Sequence, residues 1–217
     1  MRLFPLLLAL TLPFAAGAAD LSGRARVIDG DTLEIGGQVV RLLDIDAPES
    51  AQDCHGAPCG RDSTRYLERM TARRTVHCRG DGMDAYDRLL ARCDVDGADI
   101  GATMVLAGQA VAYRRYGLAY VDQEKVARIE GRGLWARGTP VMPWDYRAGR
   151  WQQASAPGGS APEGCPIKGN INSKGERIYH TPYSAHYTRT RISTSKGERW
   201  FCSEAEALAA GWRAPRR

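Results

Sequence analysis

Four side chains that could do chemistry together, Asp31, Arg41, Asp46 and Glu49, fall within RVIDGDTLEIGGQVVRLLDIDAPES, residues 26–50. This stretch holds six acidic residues and one internal arginine among short apolar alternations, an unusual load for a strand-forming segment. Gly36 and Gly37 predict a two-residue hairpin turn, which sets Thr32 opposite Arg41 with Asp31 beside the pair. Asp46 and Glu49 follow as the second strand runs out, so the four groups gather at one end of a sheet. Carboxylates this close repel one another unless a cation or a guanidinium sits among them. Calcium suits such a set because it takes carboxylate and carbonyl oxygens and needs neither histidine nor thiolate; magnesium fits the same chemistry. Two protein carboxylates would leave coordination positions for water and substrate. The spacing does not match the twelve-residue EF-hand loop, which argues against a dedicated calcium sensor. The competing reading is a solvated acidic hairpin with surface ion pairs.

The elements that must position these groups are legible from periodicity. Alternation in ARVI, TLEI and QVVRLLDI predicts strands, as do TVHC and RLLARCDV further on. Helical spacing of Tyr66, Leu67 and Met70 predicts a helix over 62–74, and a second helix runs from Ile100 to Leu106, closed by Gly108. A last helix is expected over 121–135, interrupted near Gly131 and Gly133. Strands first and helices packed on one end give an α+β fold, a small barrel plus helices.

Several blocks resemble the staphylococcal nuclease, or thermonuclease, family: VIDGDTLEI, RLLDIDAPE from Arg41 to Glu49, DAYDRLLA from Asp84 to Ala91, QAVAYRRY from Gln109 to Tyr116, and GLWA from Gly133 to Ala136. The resemblance runs in matching order from about Leu21 to Trp144. It implies a five-stranded OB-type barrel with three helices, and a calcium-dependent phosphodiesterase that cuts DNA and RNA to 3′-phosphate products. Matched position by position, it implies Asp31 and Asp46 as calcium carboxylates, with the backbone carbonyl of Ala47 as a further ligand. Asp29 would lie near the metal as an outer carboxylate. Arg41 and Arg88 would contact the scissile phosphate and Glu49 would be the general base. Tyr86 and Tyr113 would flank the nucleotide pocket, Tyr113 being the better placed for a phosphate contact. Elementary chemistry supports these roles, because a cation and fixed guanidinium groups offset the charge that builds on the phosphate oxygens. Arginine binds such oxygens through its planar fork and stays charged. This chain departs from the family at three places: Ala47 where threonine is usual, Asp87 where glycine is usual before Arg88, and an added Asp44. Alternation puts Asp44 on the same face as Asp46 if the strand persists.

The ends and the cysteines set the context. MRLFPLLLALTLPFAAGAAD reads as a signal peptide over residues 1–19, with no cysteine at the cleavage site to take a lipid; the apolar run is short for a membrane span. The protein is therefore expected to be exported, periplasmic or secreted, without integral membrane association after signal removal, and a monomer. The nuclease-like domain is expected over 20–148, a Gly/Ala/Ser/Pro linker over 149–164, and a small basic domain over 165–217. Six cysteines in an oxidising compartment favour disulfides, though sequence alone allows fifteen complete pairings. Cys78 and Cys93 lie in adjacent expected strands and form a staple; a bond between Cys54 and Cys59 would stiffen the loop after Glu49. Cys165 and Cys202 could close the C-terminal domain, or join His180 and His186 in a zinc site.

In that domain SKGERIYH (173–180) is echoed by SKGERWFC (195–202), which suggests two similar hairpin elements. Charge is uneven: 17 basic and 19 acidic residues over 20–140, but 10 basic and 5 acidic over 163–217. Such a tail, with Tyr179, Tyr183, Tyr187 and Trp200, permits nucleic-acid or cell-envelope binding, yet its partner is unknown from residues alone. The function readings are thus a nuclease acting on DNA and RNA, or a catalytically silent OB-type nucleic-acid binder. The joint presence of Asp31, Arg41, Asp46, Glu49 and Arg88 favours the first.

Overall fold

The alternations become a closed barrel in the computed structural model, which describes residues 20–156, 161–162 and 164–215. The expected signal peptide lies outside the described residues. Strands β1 (Asp20–Val27), β2 (Thr32–Ile35) and β3 (Gln38–Leu42) form an antiparallel meander. After the two-residue β4 (Ile45–Asp46) comes helix α1 (Cys59–Thr71), then β5 (Thr75–Met83) and β6 (Leu89–Val95). The sheet runs β3-β2-β1-β5-β6, and a parallel pairing of β3 with β6 closes it into a five-stranded barrel. On β5 and β6 the buried positions fall on every second residue: Val76, Cys78, Leu89, Ala91, Cys93 and Val95 turn inward.

Short β7 (Ala98–Asp99) leads into α2 (Ile100–Leu106), whose first turn is capped by the Asp99 carboxylate accepting from the Ala102 N–H at 2.8 Å. Then follow β8 (Val111–Ala112), paired with β4, and α3 (Val121–Ile129), which stops before Gly131 and resumes as a 3-10 turn over Gly133–Trp135. Leu67 of α1 and Ile100 and Met104 of α2 plug the barrel core against Leu33, Val40 and Val76. Truncating a fully buried leucine such as Leu67 to alanine costs about 2–5 kcal/mol.

Two sequence expectations need correction here. The barrel carries a further helix, α4 (Pro143–Ser155), so residues 149–155 of the expected linker are helical. Proline at its first turn is pre-set for a helix start, and Trp144 and Trp151 give the helix two apolar anchors. The strand also does not persist through Asp44. Asp44 adopts a left-handed φ of 62°, which ends β3 and turns its buried carboxylate away to pair with Arg92.

In the C-terminal region, β9 (Ile167–Ile171) is flanked by β10 (Arg177–His180) and β11 (Arg199–Phe201), both antiparallel to it, and α5 (Glu204–Ala209) follows. The SKGER echo is thus structural: each copy turns at a glycine with φ near 78° and delivers one strand to either side of β9. Ile167, Tyr179, Phe201, Ala207 and Trp212 form its core.

The six cysteines are all paired, as Cys54–Cys59, Cys78–Cys93 and Cys165–Cys202. The last bond removes the thiolates that the zinc reading required. Cys78 and Cys93 stand directly opposite each other across β5 and β6. Among the described residues no helix is long and apolar enough to cross a membrane.

Candidate active site

The β2–β3 turn sets the register on which the site depends. Gly36 and Gly37 take φ of 58° and 92°, a pair of left-handed values that glycine accepts without strain, and Thr32 then faces Arg41. Arg41 leans over the barrel rim and makes ion pairs of 3.0 Å with Asp31 and 3.0 Å with Asp46. Asp31 is buried; its Oδ2 accepts the Ala47 N–H at 2.7 Å and its Oδ1 accepts the Thr32 hydroxyl at 3.0 Å. Its own N–H donates to Asp29 at 3.1 Å. Glu49 follows on the same rim, and α1 starts so close beneath it that a Cβ on Gly60 would sit 1.7 Å from the Glu49 carbonyl oxygen. The Gln52 side chain accepts the Glu49 N–H at 3.2 Å and donates to the Val141 carbonyl at 2.8 Å, tying this loop to the chain ahead of α4.

Sequence reasoning did not find the residue at the centre of this cluster. Arg147 of α4 donates to both oxygens of Asp46, at 3.1 and 2.8 Å, and to Glu49 at 2.9 Å. Its signal was present: Trp144, Arg147 and Trp151 recur at helical spacing behind a proline. Four carboxylates, those of Asp29, Asp31, Asp46 and Glu49, therefore face the guanidinium groups of Arg41 and Arg147.

The imbalance appears in the proton affinities. Burial, and then the charge of Asp31, pushes the Asp29 carboxyl up to about 7. Burial pushes Glu49 up to about 8, opposed by Arg147 and assisted by Asp29. Asp46 is raised by burial against the pull of Arg147 and Arg41. A carboxyl titrating near neutrality can take up or give a proton there. Burial by itself would lower the Arg147 affinity, but its bonds to Asp46 and Glu49 outweigh that and hold it charged.

Arg88 enters from the turn between β5 and β6, where Asp84 binds it through Nε and Nη2, both at 2.7 Å. Its partner is thus Asp84 and not the added Asp87. Asp87 has φ 58°, a left-handed conformation that costs an L side chain about 1–2 kcal/mol and that glycine would adopt freely. Tyr86 lies beside Arg88, its ring centre 5.2 Å from the guanidinium carbon. Tyr113, held by its N–H to the Asp44 carbonyl at 2.8 Å, packs edge-on to Tyr116 and against Trp144 of α4.

These residues line one cleft of about 650 Å³. Its floor is the barrel rim with Asp29, Asp31, Arg41, Asp46, Glu49 and Arg88; its roof is the C-terminal region with Tyr179, Tyr183, His186 and Glu204. Glu204 accepts the hydroxyls of Tyr179 and Tyr183 at 2.9 and 2.7 Å, which fixes the roof.

The donor set fits a hard divalent cation in chemistry, since it offers only oxygens and, with all four carboxyls ionised, carries two more negative than positive charges. In this arrangement the compensating cations are guanidinium groups, and among the described residues no group of three or more His, Cys, Asp or Glu side chains is assembled as a metal site.

Comparison with known proteins covers much of this cleft, with Arg41, Asp46, Glu49, Arg88 and Tyr113 inside one family match and Arg147 inside a second. The family described as Staphylococcal nuclease homologue matches residues 39–137, and a second, described as ArfC, matches residues 146–214. The succinoglycan biosynthesis protein ExoI of Rhizobium meliloti (strain 1021) is 38% identical over 154 residues, 66% of this chain and 80% of that protein. An uncharacterized endonuclease of Escherichia coli O157:H7 is 38% identical over 139 residues, 59% of this chain and 86% of its own length. A micrococcal nuclease of Shigella flexneri is 35% identical over 147 residues, 59% of this chain and 82% of its own.

Proposed function

The chain belongs to the staphylococcal nuclease homologue family, and on that premise we propose that it is an exported, calcium-dependent phosphodiesterase that cleaves DNA and RNA to 3′-phosphate products. One observation carries the reading beyond the family's general nuclease activity. The hairpin register holds Arg41 3.0 Å from both Asp31 and Asp46, with Glu49 on the same rim and Arg88, Tyr86 and Tyr113 lining the same cleft.

In this reading Asp31, Asp46 and the Ala47 carbonyl would hold the ion, with Asp29 as an outer carboxylate. When bound, the ion supplies positive charge beside the phosphate. Arg41 and Arg88 grip non-bridging phosphate oxygens and stabilise the charge that accumulates on them during in-line attack. For Arg88 this means exchanging Asp84 for phosphate. Glu49 takes a proton from the attacking water, or orients it. Tyr86 and Tyr113 offer ring faces to a nucleotide at the mouth of the cleft. Export is supported by the apolar start of the chain and by three disulfides, which persist in oxidising compartments.

Digestion of plasmid DNA and RNA in calcium, magnesium or chelator tests this reading on the wild type, Arg41→Ala and Glu49→Gln. Calcium-dependent cutting that falls at least about 100-fold in either variant is expected. Undiminished cutting by both variants sinks the assigned roles. Nucleic-acid binding without cutting in any metal would instead favour the silent OB-type binder.

A further inference from the structure

Arg147 is absent from the barrel's own sequence and arrives on α4, within the segment that the ArfC family matches. It donates to both oxygens of the fully buried Asp46 carboxylate, while Arg41 shares Oδ1, and it also takes Glu49. The two carboxylates to which the functional reading gives an ion and a proton are therefore bound to one guanidinium. An ion coordinated by Asp46 would stand beside a fixed positive charge that already holds the same oxygens, so the two cations exclude each other.

Arg147 is also held firmly from outside the barrel. Trp144, one turn before it, packs on the cluster of Val111, Leu134 and Trp135, and Trp151, one turn after it, packs on the C-terminal core. Arg150 adds a bond from its Nε to the Pro182 carbonyl at 3.2 Å.

We propose that Arg147 is a built-in competitor of the divalent ion: it occupies the carboxyl oxygens of Asp46 and Glu49 in the resting protein, and the metal binds only as Arg147 withdraws. This rests on the metal reading given above. Arg147 thereby sets the metal concentration at which the site loads, because the apparent affinity is reduced by the fraction of molecules in which the guanidinium has left. The C-terminal region, by anchoring α4 through Trp151 and Arg150, tunes that fraction.

Titration calorimetry with calcium alone, on the full disulfide-bonded chain, tests this. Arg147→Gln is expected to bind calcium at least about tenfold more tightly than the wild type, with Arg147→Lys between them. A merely structural arginine would give the opposite sign, since its loss would loosen the site. Trp151→Ala frees α4 without touching a carboxylate and moves calcium affinity the same way by a factor of several, so the idea stands or falls even if Arg147→Gln folds poorly. Wild-type calcium binding that neither Arg147→Gln nor Trp151→Ala tightens overturns the competitor role and leaves the nuclease reading intact. Absence of calcium binding in every variant overturns both.

Discussion

The barrel rim and the cleft roof meet in one site but are assembled by opposite means. On the rim, partners are neighbours: Thr32 faces Arg41 across a two-residue turn, and Arg41 reaches Asp46 five residues on. At the roof, partners are remote: Arg147 meets Asp46 and Glu49 across 101 and 98 residues, and Tyr179 and Tyr183 meet Glu204 across 25 and 21. A site made of neighbours is fixed as soon as its hairpin forms. One completed from far along the chain exists only when both regions have folded and docked, and its completion can be separately adjusted.

The sharpest way to break this comparison is to remove the staple of one region at a time. Cys165→Ala with Cys202→Ala opens a 37-residue loop in a small unit, a loss of about 4 kcal/mol in the chain-entropy account; Cys78→Ala with Cys93→Ala opens 15 residues in the larger barrel, about 3 kcal/mol. Urea unfolding should show the first variant losing C-terminal structure while the barrel transition survives. A single shared transition in both variants would mean that the regions are not separable.

A smaller effect follows from His180, buried in β10 with its Nε2 against Asn170. Burial first, then the positive charges of His186 and Lys168, lowers its proton affinity from 6.5 to about 4. Because the unfolded chain takes the proton more readily, the stability held by neutral His180 is complete above 6.5 and falls away as pH drops from 6.5 towards 4. The loss is on the order of 3 kcal/mol and confined to the C-terminal region. His180→Gln should flatten that slope in pH-dependent unfolding, leaving the barrel's own acid sensitivity unchanged.

The smallest change lies on the rim. Asp87→Gly relieves a left-handed φ and should stabilise the barrel by about 0.5–1 kcal/mol, read as a rise of a few degrees in Tm. A fall in Tm would show that the Asp87 side chain contributes something that its backbone strain conceals.

The same contrast explains what could be read from sequence. Alternation and the Gly36–Gly37 pair were enough for the hairpin, for the strands bearing Cys78 and Cys93, and for the gathering of Asp31, Arg41 and Asp46, because each rests on local spacing. Asp44 defied the alternation because a single left-handed residue turns the chain; aspartate tolerates that conformation better than most residues, but its type alone does not say at which position the chain will turn. The parallel closure of β3 on β6 joins segments far apart, so no periodicity reports it. The place where Arg147 docks was hidden for the same reason. Its helix could be inferred from Pro143 and the spacing of its tryptophans, but its destination could not, because a charge on a helix says nothing of which remote carboxylate it will meet.

Helix α4 also acts as a ruler of angle. Each residue advances a helix by about 100°, so Trp144, Arg147 and Trp151 share one face only because they stand three and four residues apart. One extra residue between Arg147 and Trp151 would keep Arg147 over the rim and swing Trp151 a quarter turn off its seat, whereas a full extra turn would restore the alignment at greater length. The phase relation between rim and roof is thus stored in a count of residues, and insertions of one, two, three or four alanines would read it out directly.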